Sequence, residues 1–200
     1  MKINRHINKV AVIGSGIMGS RIACHFANIG AEVLLLDIVP FDLTEEQLKD
    51  KKLRNSIVND ALKSTLKSKP SPIYSKEFIS RIDTGNLEDD LHKIAGVDWI
   101  IEVVVERLDI KKQVFEKIEK FRKDGTLISS NTSGIPIESM IDGRSEDFQK
   151  HFCGTHFFNP PRYLKLLEII PTSKTNTEIT DFLMEYGDKF LGKDMVLCKD

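Results

Sequence analysis

His156 and Glu168 suggest a proton transfer. His156 closes the run Phe152-Cys153-Gly154-Thr155-His156-Phe157-Phe158-Asn159-Pro160, and Glu168 interrupts the apolar run Leu166-Leu167-Glu168-Ile169-Ile170. A histidine at a strand end can act as a general base, since its ordinary pKa lies near neutrality. A core histidine held by one carbonyl is the alternative at such a position. Glu168 favours the base: at strand spacing it shares a face with Leu164, Leu166 and Ile170, where an unpaired carboxylate is costly. A histidine twelve residues earlier on a neighbouring strand would satisfy it. The carboxylate would then fix the imidazole tautomer and stabilise the imidazolium formed on proton uptake. Ser129-Ser130-Asn131-Thr132-Ser133-Gly134 leaves another strand end with hydroxyls and an amide to offer. The same residue types also make turns and cap helices, so on their own they decide nothing.

A second group of residues suits a dinucleotide. Gly14-Ser15-Gly16-Ile17-Met18-Gly19 fits the pattern G-x-G-x-x-G between an apolar run and a helical one. The first glycine permits the tight turn, the second a close approach of pyrophosphate, the third close packing of the helix. Unpaired N–H groups at the helix start, with the positive end of its dipole, would face the phosphates. Asp37 ends the next apolar run, eighteen residues after Gly19, where a carboxylate can accept from ribose hydroxyls. It would repel a 2′-phosphate about 4 Å away by roughly 4 kcal/mol per unit charge, so NAD is favoured over NADP.

These residues need a scaffold that delivers them to one edge. Apolar runs predict strands at 9–13, 32–37, 79–83, 98–105, 126–130, 152–157, 165–170 and 195–198, with 98–105 at the sheet centre. Helical spacing is seen at 17–29, 87–95, 109–123 and 178–190. A long excursion at 44–69 carries Leu48, Leu53, Ile57, Ala61, Leu62 and Leu66 on one stripe and ends at Pro70-Ser71-Pro72. The alternation specifies the α/β class: a doubly wound, mostly parallel sheet with helices on both faces and a long helical excursion after the second strand. Ligands in such sheets bind beyond the carboxyl ends of the strands.

Composition excludes several functions. The chain has 200 residues, 40% of them hydrophobic, enough for one domain over 1–200. Charged residues nearly cancel, to a net charge of -1, so neither nucleic acid nor an anionic membrane is an expected partner. Met1-Lys2-Ile3-Asn4-Arg5-His6 has no apolar segment after its basic residues, and no uncharged apolar run reaches spanning length; a cytoplasmic protein is expected. Cys24, Cys153 and Cys198 lack paired or metal-ligand spacing, so neither a disulfide framework nor a metal site is expected.

The glycine loop with Met18, Ser130-Asn131-Thr132-Ser133 and His156-Phe157-Phe158-Asn159-Pro160 together resemble the L-3-hydroxyacyl-CoA dehydrogenases over nearly the whole chain. The run from Tyr163 to Ile170 is most similar to the long bacterial fatty-acid-oxidation proteins, in which this enzyme is fused to an enoyl-CoA-hydratase-like module. The resemblance implies a Rossmann-type domain that serves NAD-dependent oxidation of (S)-3-hydroxyacyl-CoA to 3-ketoacyl-CoA in fatty-acid β-oxidation. It makes His156 the base, Glu168 its orienting partner and Ser133 the donor to the reacting oxygen. It places Gly14, Gly16, Ile17, Met18, Gly19, Asp37, Glu106, Lys111, Ser133 and Asn159 at the cofactor, and Ser56 and Lys63, seven apart on one helix face, at coenzyme A. From residue type alone, Glu106 is a strand-end acid, Lys111 a first-turn lysine and the lysine-rich helix a solvated face.

In the family an all-helical domain follows position 200 and supplies acyl contacts and a homodimer interface; it is absent from this chain, which is expected to bind NAD and turn over poorly. Gly134 stands where many relatives have a second serine. Two other functions fit part of the pattern: a dehydrogenase of a free 3-hydroxy acid, in which Ser56 and Lys63 would be idle, and a non-catalytic NAD-binding module.

Overall fold

The computed structural model describes residues 5–200, so part of the amino-terminal hexapeptide considered above lies outside it. Eight strands form one sheet: β1 (Lys9–Ile13), β2 (Glu32–Asp37), β3 (Ile82–Asn86), β4 (Trp99–Glu102), β5 (Leu127–Ser130), β6 (Phe152–Phe157), β7 (Leu166–Pro171) and β8 (Asp194–Leu197). Their order is β3-β2-β1-β4-β5-β6-β7-β8, so β4 sits at the centre. The first six strands run parallel and β7 turns back antiparallel to β6, with β8 parallel to β7. The reversal follows from chain length: residues 158–165 are too few for the helical crossover that a parallel return needs.

Alternation along the strands builds two cores. Val10, Val12, Trp99, Ile101 and Phe157 face α1 (Ile17–Asn28), α3 (Ser56–Lys67) and α6 (Thr177–Lys189). Ala11, Ile13, Ile100, Ile128 and Phe152 face α4 (Leu108–Phe121) and the short α5 (Glu146–Lys150). Trp99 meets Phe26 edge-on, ring centres 5.3 Å apart, and donates its indole N–H to the Ser129 hydroxyl at 2.9 Å.

Four expectations need correction. The excursion at 44–69 is broken into a 3-10 turn (Gln47–Lys49), α2 (Lys51–Arg54) and α3. Asp50 caps α2 through the Lys52 amide, and Asn55 between α2 and α3 is buried, accepting from the Asn86 side chain at 2.7 Å. The strand expected at 79–83 begins at Ile82, in register with Val33, because Lys76–Arg81 closes a 3-10 turn capped by Ser75. Its follower is a 3-10 turn at Leu91–Gly96 in place of a helix over 87–95; Asn86 accepts from the amides of Glu88 and Asp89 and so makes a turn first. The strand expected at 98–105 stops at Glu102, whose carboxylate accepts from the Val104 amide at 2.7 Å and turns the chain out of the sheet.

Candidate active site

The glycine loop lies where β1 gives way to α1. Gly14 has φ +104, and a Cβ there would lie 2.6 Å from the Val103 carbonyl oxygen; a Cβ on Gly19 would lie 1.8 Å from that of Gly14. Both glycines are demanded by the protein's own backbone. Gly16 is different: nothing lies within 4 Å of a Cβ built there, so the space beside it is open to an incoming group. It begins α1, whose first turn carries no acidic residue and whose Ile17 side chain is exposed. An open cradle of unpaired amides at a helix start fits a pyrophosphate. Asp37 is already engaged, accepting from the Ser15 amide at 2.6 Å, the Ser15 hydroxyl at 2.5 Å and the Ile38 amide at 2.7 Å. A carboxylate offers about four lone-pair sites, so a ribose diol would share Asp37 with Ser15.

His156 and Glu168 face each other across the antiparallel β6–β7 pair. Nδ1 of His156 lies 2.8 Å from Oε2 of Glu168. An ionised carboxylate only accepts, so this contact selects the tautomer with the proton on Nδ1, in which the neutral imidazole offers the Nε2 lone pair. Phe158 packs its ring against the imidazole at 4.4 Å. The carboxylate is less enclosed than its sequence setting implied. Leu167 and Ile169 point into the core, whereas Glu168 shares the other face with Leu166, which is 37% exposed, and half-buried Ile170. The 132–137 loop, with Lys199 and Asp200, lines that side, and some water contact is retained.

Glu106 organises that loop. Its Oε1 accepts from the Thr132 hydroxyl at 2.5 Å and from the amides of Ser133 and Gly134, both at 3.0 Å. Burial pushes its carboxyl up, but these bonds, with the charge of Lys111, outweigh burial and hold it below the usual range. Asn131 accepts from the Phe157 amide at 2.9 Å, tying the loop to the end of β6. Gly154 lets Ile137 pack on the sheet: a Cβ there would meet Ile137 at 2.9 Å. The result is a cleft of about 340 Å³ between the start of α1 and the ends of β4, β5 and β6, where Met18, Glu106, Ser133, His156 and Asn159 all lie. Arg21 of α1 donates to the Asn159 side-chain oxygen at 2.5 Å.

Lys111 is not at the surface. It is 1% exposed, bonds both oxygens of Glu102 at 2.8 and 3.1 Å, and reaches Glu106 Oε2 at 3.4 Å. Lys111 lies in the first turn of α4 but faces inward, behind Glu106, instead of lying on a solvated face. Glu102 and Ser130, whose hydroxyl donates to Glu102 at 2.5 Å, complete this buried network, and neither was given a role from the sequence. Burial raises the Glu102 carboxyl against the opposing pull of Lys111, Ser130 and the Val104 amide. The available signal was one charge inside the apolar run Trp99-Ile100-Ile101-Glu102-Val103-Val104.

Ser56 and Lys63 stay apart from this assembly. Both lie on α3, Ser56 half-buried and Lys63 exposed, and neither lines the cleft. Among the described residues no helix is long and apolar enough to cross a membrane, and no group of three or more His, Cys, Asp or Glu is placed to hold a metal ion.

A glycine-turn helix start, a strand-end aspartate and a paired histidine on one sheet edge define a dinucleotide-binding dehydrogenase module. The chain belongs to the 3-hydroxyacyl-CoA dehydrogenase family, matching its NAD-binding domain over residues 9–200. It is 52% identical over 204 residues to a Bacillus subtilis protein named a probable 3-hydroxyacyl-CoA dehydrogenase, covering 99% of this chain and 26% of that protein. It is 40% identical to a Rickettsia felis protein provisionally named a fatty acid oxidation complex trifunctional enzyme, again covering 99% of this chain and 26% of that protein. The structure of 3-hydroxybutyryl-CoA dehydrogenase from Escherichia coli superposes with a TM-score of 0.73 at 29% identity, over 97% of this chain and 38% of that one. The chain therefore spans about a quarter of the length of these two sequence relatives.

Proposed function

We propose that the protein containing this chain oxidises (S)-3-hydroxyacyl-CoA to 3-ketoacyl-CoA with NAD, as a step of fatty-acid β-oxidation in the cytoplasm. The observation that carries the proposal is the His156–Glu168 pair at 2.8 Å, with His156 beside Met18, Ser133 and Asn159 in one cleft. His156 takes the proton of the C3 hydroxyl on Nε2, and Glu168 stabilises the imidazolium through Nδ1. General-base catalysis of this kind contributes about 10² to 10⁴ in rate. Ser133 donates to the reacting oxygen, and the loop bonds to Glu106 fix where that donor stands. NAD, when bound, accepts the hydride. Gly14, Gly16 and Gly19 shape its phosphate cradle, with Ile17 and Met18 beside them; Asp37 holds the ribose, and Glu106, Lys111 and Asn159 build the nicotinamide side.

Ser56 and Lys63 take the coenzyme A moiety from α3. Residues 1–200 act as one NAD-binding domain, completed in the whole protein by an all-helical domain that carries acyl contacts and a homodimer interface. An enoyl-CoA-hydratase-like module in the same polypeptide is supported by the similarity to a protein named trifunctional.

The test is NADH formation by the full-length protein from (S)-3-hydroxybutyryl-CoA and from free 3-hydroxybutyrate, with Lys63→Ala beside the wild type. Turnover of the thioester, with KM raised in Lys63→Ala, is expected. Turnover of the free acid alone would replace this proposal with a 3-hydroxy acid dehydrogenase, for which α3 has no role. NADH binding without turnover of either would leave a non-catalytic module.

A further inference from the structure

Lys193 follows α6, where Gly192 (φ +63) turns the chain and the Lys193 amide bonds the Gly187 carbonyl at 2.9 Å. Its side chain then runs inward and is 3% exposed. The ammonium donates to the carbonyl of Leu164 at 2.7 Å and to that of Pro161, and lies 5.9 Å from the centre of the Phe157 ring. Burial lowers its pKa to about 8, and among the described residues no carboxylate acts against it. His25 on α1 feels the positive charge of both Lys193 and Arg162, the latter in the chain between β6 and β7.

A cation taken out of water without a counter-ion is costly, and a methionine would fill much of the same space without that cost. What the lysine adds is a set of donors for carbonyls that have few other options. Pro161 and Leu164 belong to the 158–165 connection, in which the amides of Tyr163 and Leu164 both turn back to the Pro160 carbonyl, at 2.9 and 3.0 Å. This connection sets Phe158 against the His156 ring and Asn159 at the cleft. Other anchors of the connection include Arg21 to Asn159, Arg162 to the carbonyls of Ser71 at 2.7 Å and Ile73 at 3.0 Å, the Tyr163 hydroxyl to the Ser71 carbonyl at 2.9 Å, and the Asp194 amide to the Lys165 carbonyl at 2.9 Å.

We infer that Lys193 is a positioning residue for the His156 cleft, holding Phe158 and Asn159 in place through the carbonyls of Pro161 and Leu164. This rests on the cleft being the dehydrogenase site proposed above. The experiment is amide hydrogen exchange on the full-length protein, wild type against Lys193→Met and Lys193→Gln, with NADH affinity and thioester turnover measured on the same samples. In Lys193→Met, exchange at Tyr163 and Leu164 should quicken about tenfold or more while the amides of β1 and β4 keep their rates. NADH affinity should fall by roughly five- to tenfold, and kcat should drop more than KM rises, since a displacement of about 1 Å can cost on the order of 10²-fold. Lys193→Gln, which keeps donors for one carbonyl, should fall between wild type and Lys193→Met.

Unchanged exchange at residues 163 and 164 would overturn the anchoring. Faster exchange there with unaltered NADH affinity and kcat would overturn the link to the site, and uniformly faster exchange would reduce Lys193 to a general stabiliser. If Lys193→Met does not fold, Lys193→Gln decides by the same criteria. A wild type without thioester turnover would sink the proposed function, while exchange and NADH affinity would still decide the role of Lys193.

Discussion

The two halves of the cleft are built by different means. On the cofactor side, between β1 and β2, geometry is imposed by the backbone itself: Gly14 and Gly19 stand where any Cβ would strike a carbonyl within 2.6 Å. On the proton-transfer side, between β4 and β7, it is imposed by side chains: Glu102, Lys111, Ser130, Glu106 and Asn131 bond one another or the loop amides. The first half is drawn mainly from residues 13–37, with the Val103 carbonyl as a distant neighbour of Gly14. The second joins residues from four strands and α4, and its shape depends on every partner being present.

That contrast predicts unequal sensitivity. Lys111→Met should have the largest effect on stability, about 3 to 5 kcal/mol, because it leaves Glu102 buried without its cation. Urea unfolding would measure it, and a loss below about 1 kcal/mol would mean that the network is not what holds this half together. Removing both charges in Lys111→Met/Glu102→Gln should restore much of the loss.

His25, which links α1 to the end of α6, sharpens the comparison through pH. Burial, and then the charge of Lys193, push its imidazole down to about 4; Nε2 bonds the Leu191 carbonyl at 3.1 Å and Nδ1 has no partner among the described residues. Its pKa is lower folded than unfolded, so the unfolded chain takes up the proton first as pH falls. The stability contributed is present above about pH 6.5 and is lost on the way down to about pH 4, by roughly 3 kcal/mol at 1.36 kcal/mol per unit. Acid titration of unfolding free energy in wild type and His25→Phe checks this, and a variant with the same acid limb would assign it to other groups.

The smallest expected change in stability is at Gly16. Gly16→Ala meets no atom, so stability should change by less than about 1 kcal/mol, while NADH affinity should drop at least tenfold because the new methyl group occupies the phosphate approach. Weakened folding with intact NADH binding would contradict the cradle.

The same contrast explains what could be read from the sequence. The glycine loop, Asp37 and most strands were legible because each is contiguous and its periodicity is local. His156 and Glu168 were legible as a pair because one charge in an apolar strand asks for a partner nearby. The network of Glu102, Ser130 and buried Lys111 was not, since β4 and β5 bring the first two together only through their register and α4 adds the lysine only through its packing. The break at Asn55 was hidden because Leu53 and Ile57 keep helical i, i+4 spacing across it. Lys193 looked like any lysine beside a glycine, and only the fold reveals that its ammonium is buried.

The most direct test of the account is His156→Gln in the full-length protein, assayed for NADH formation from (S)-3-hydroxybutyryl-CoA alongside NADH affinity. The account predicts kcat lower by about 10² to 10⁴ with NADH affinity within a few-fold of wild type, since only the proton-transfer half is touched. Retention of kcat would contradict it, because the His156–Glu168 pair would then be a structural contact and the base would lie elsewhere.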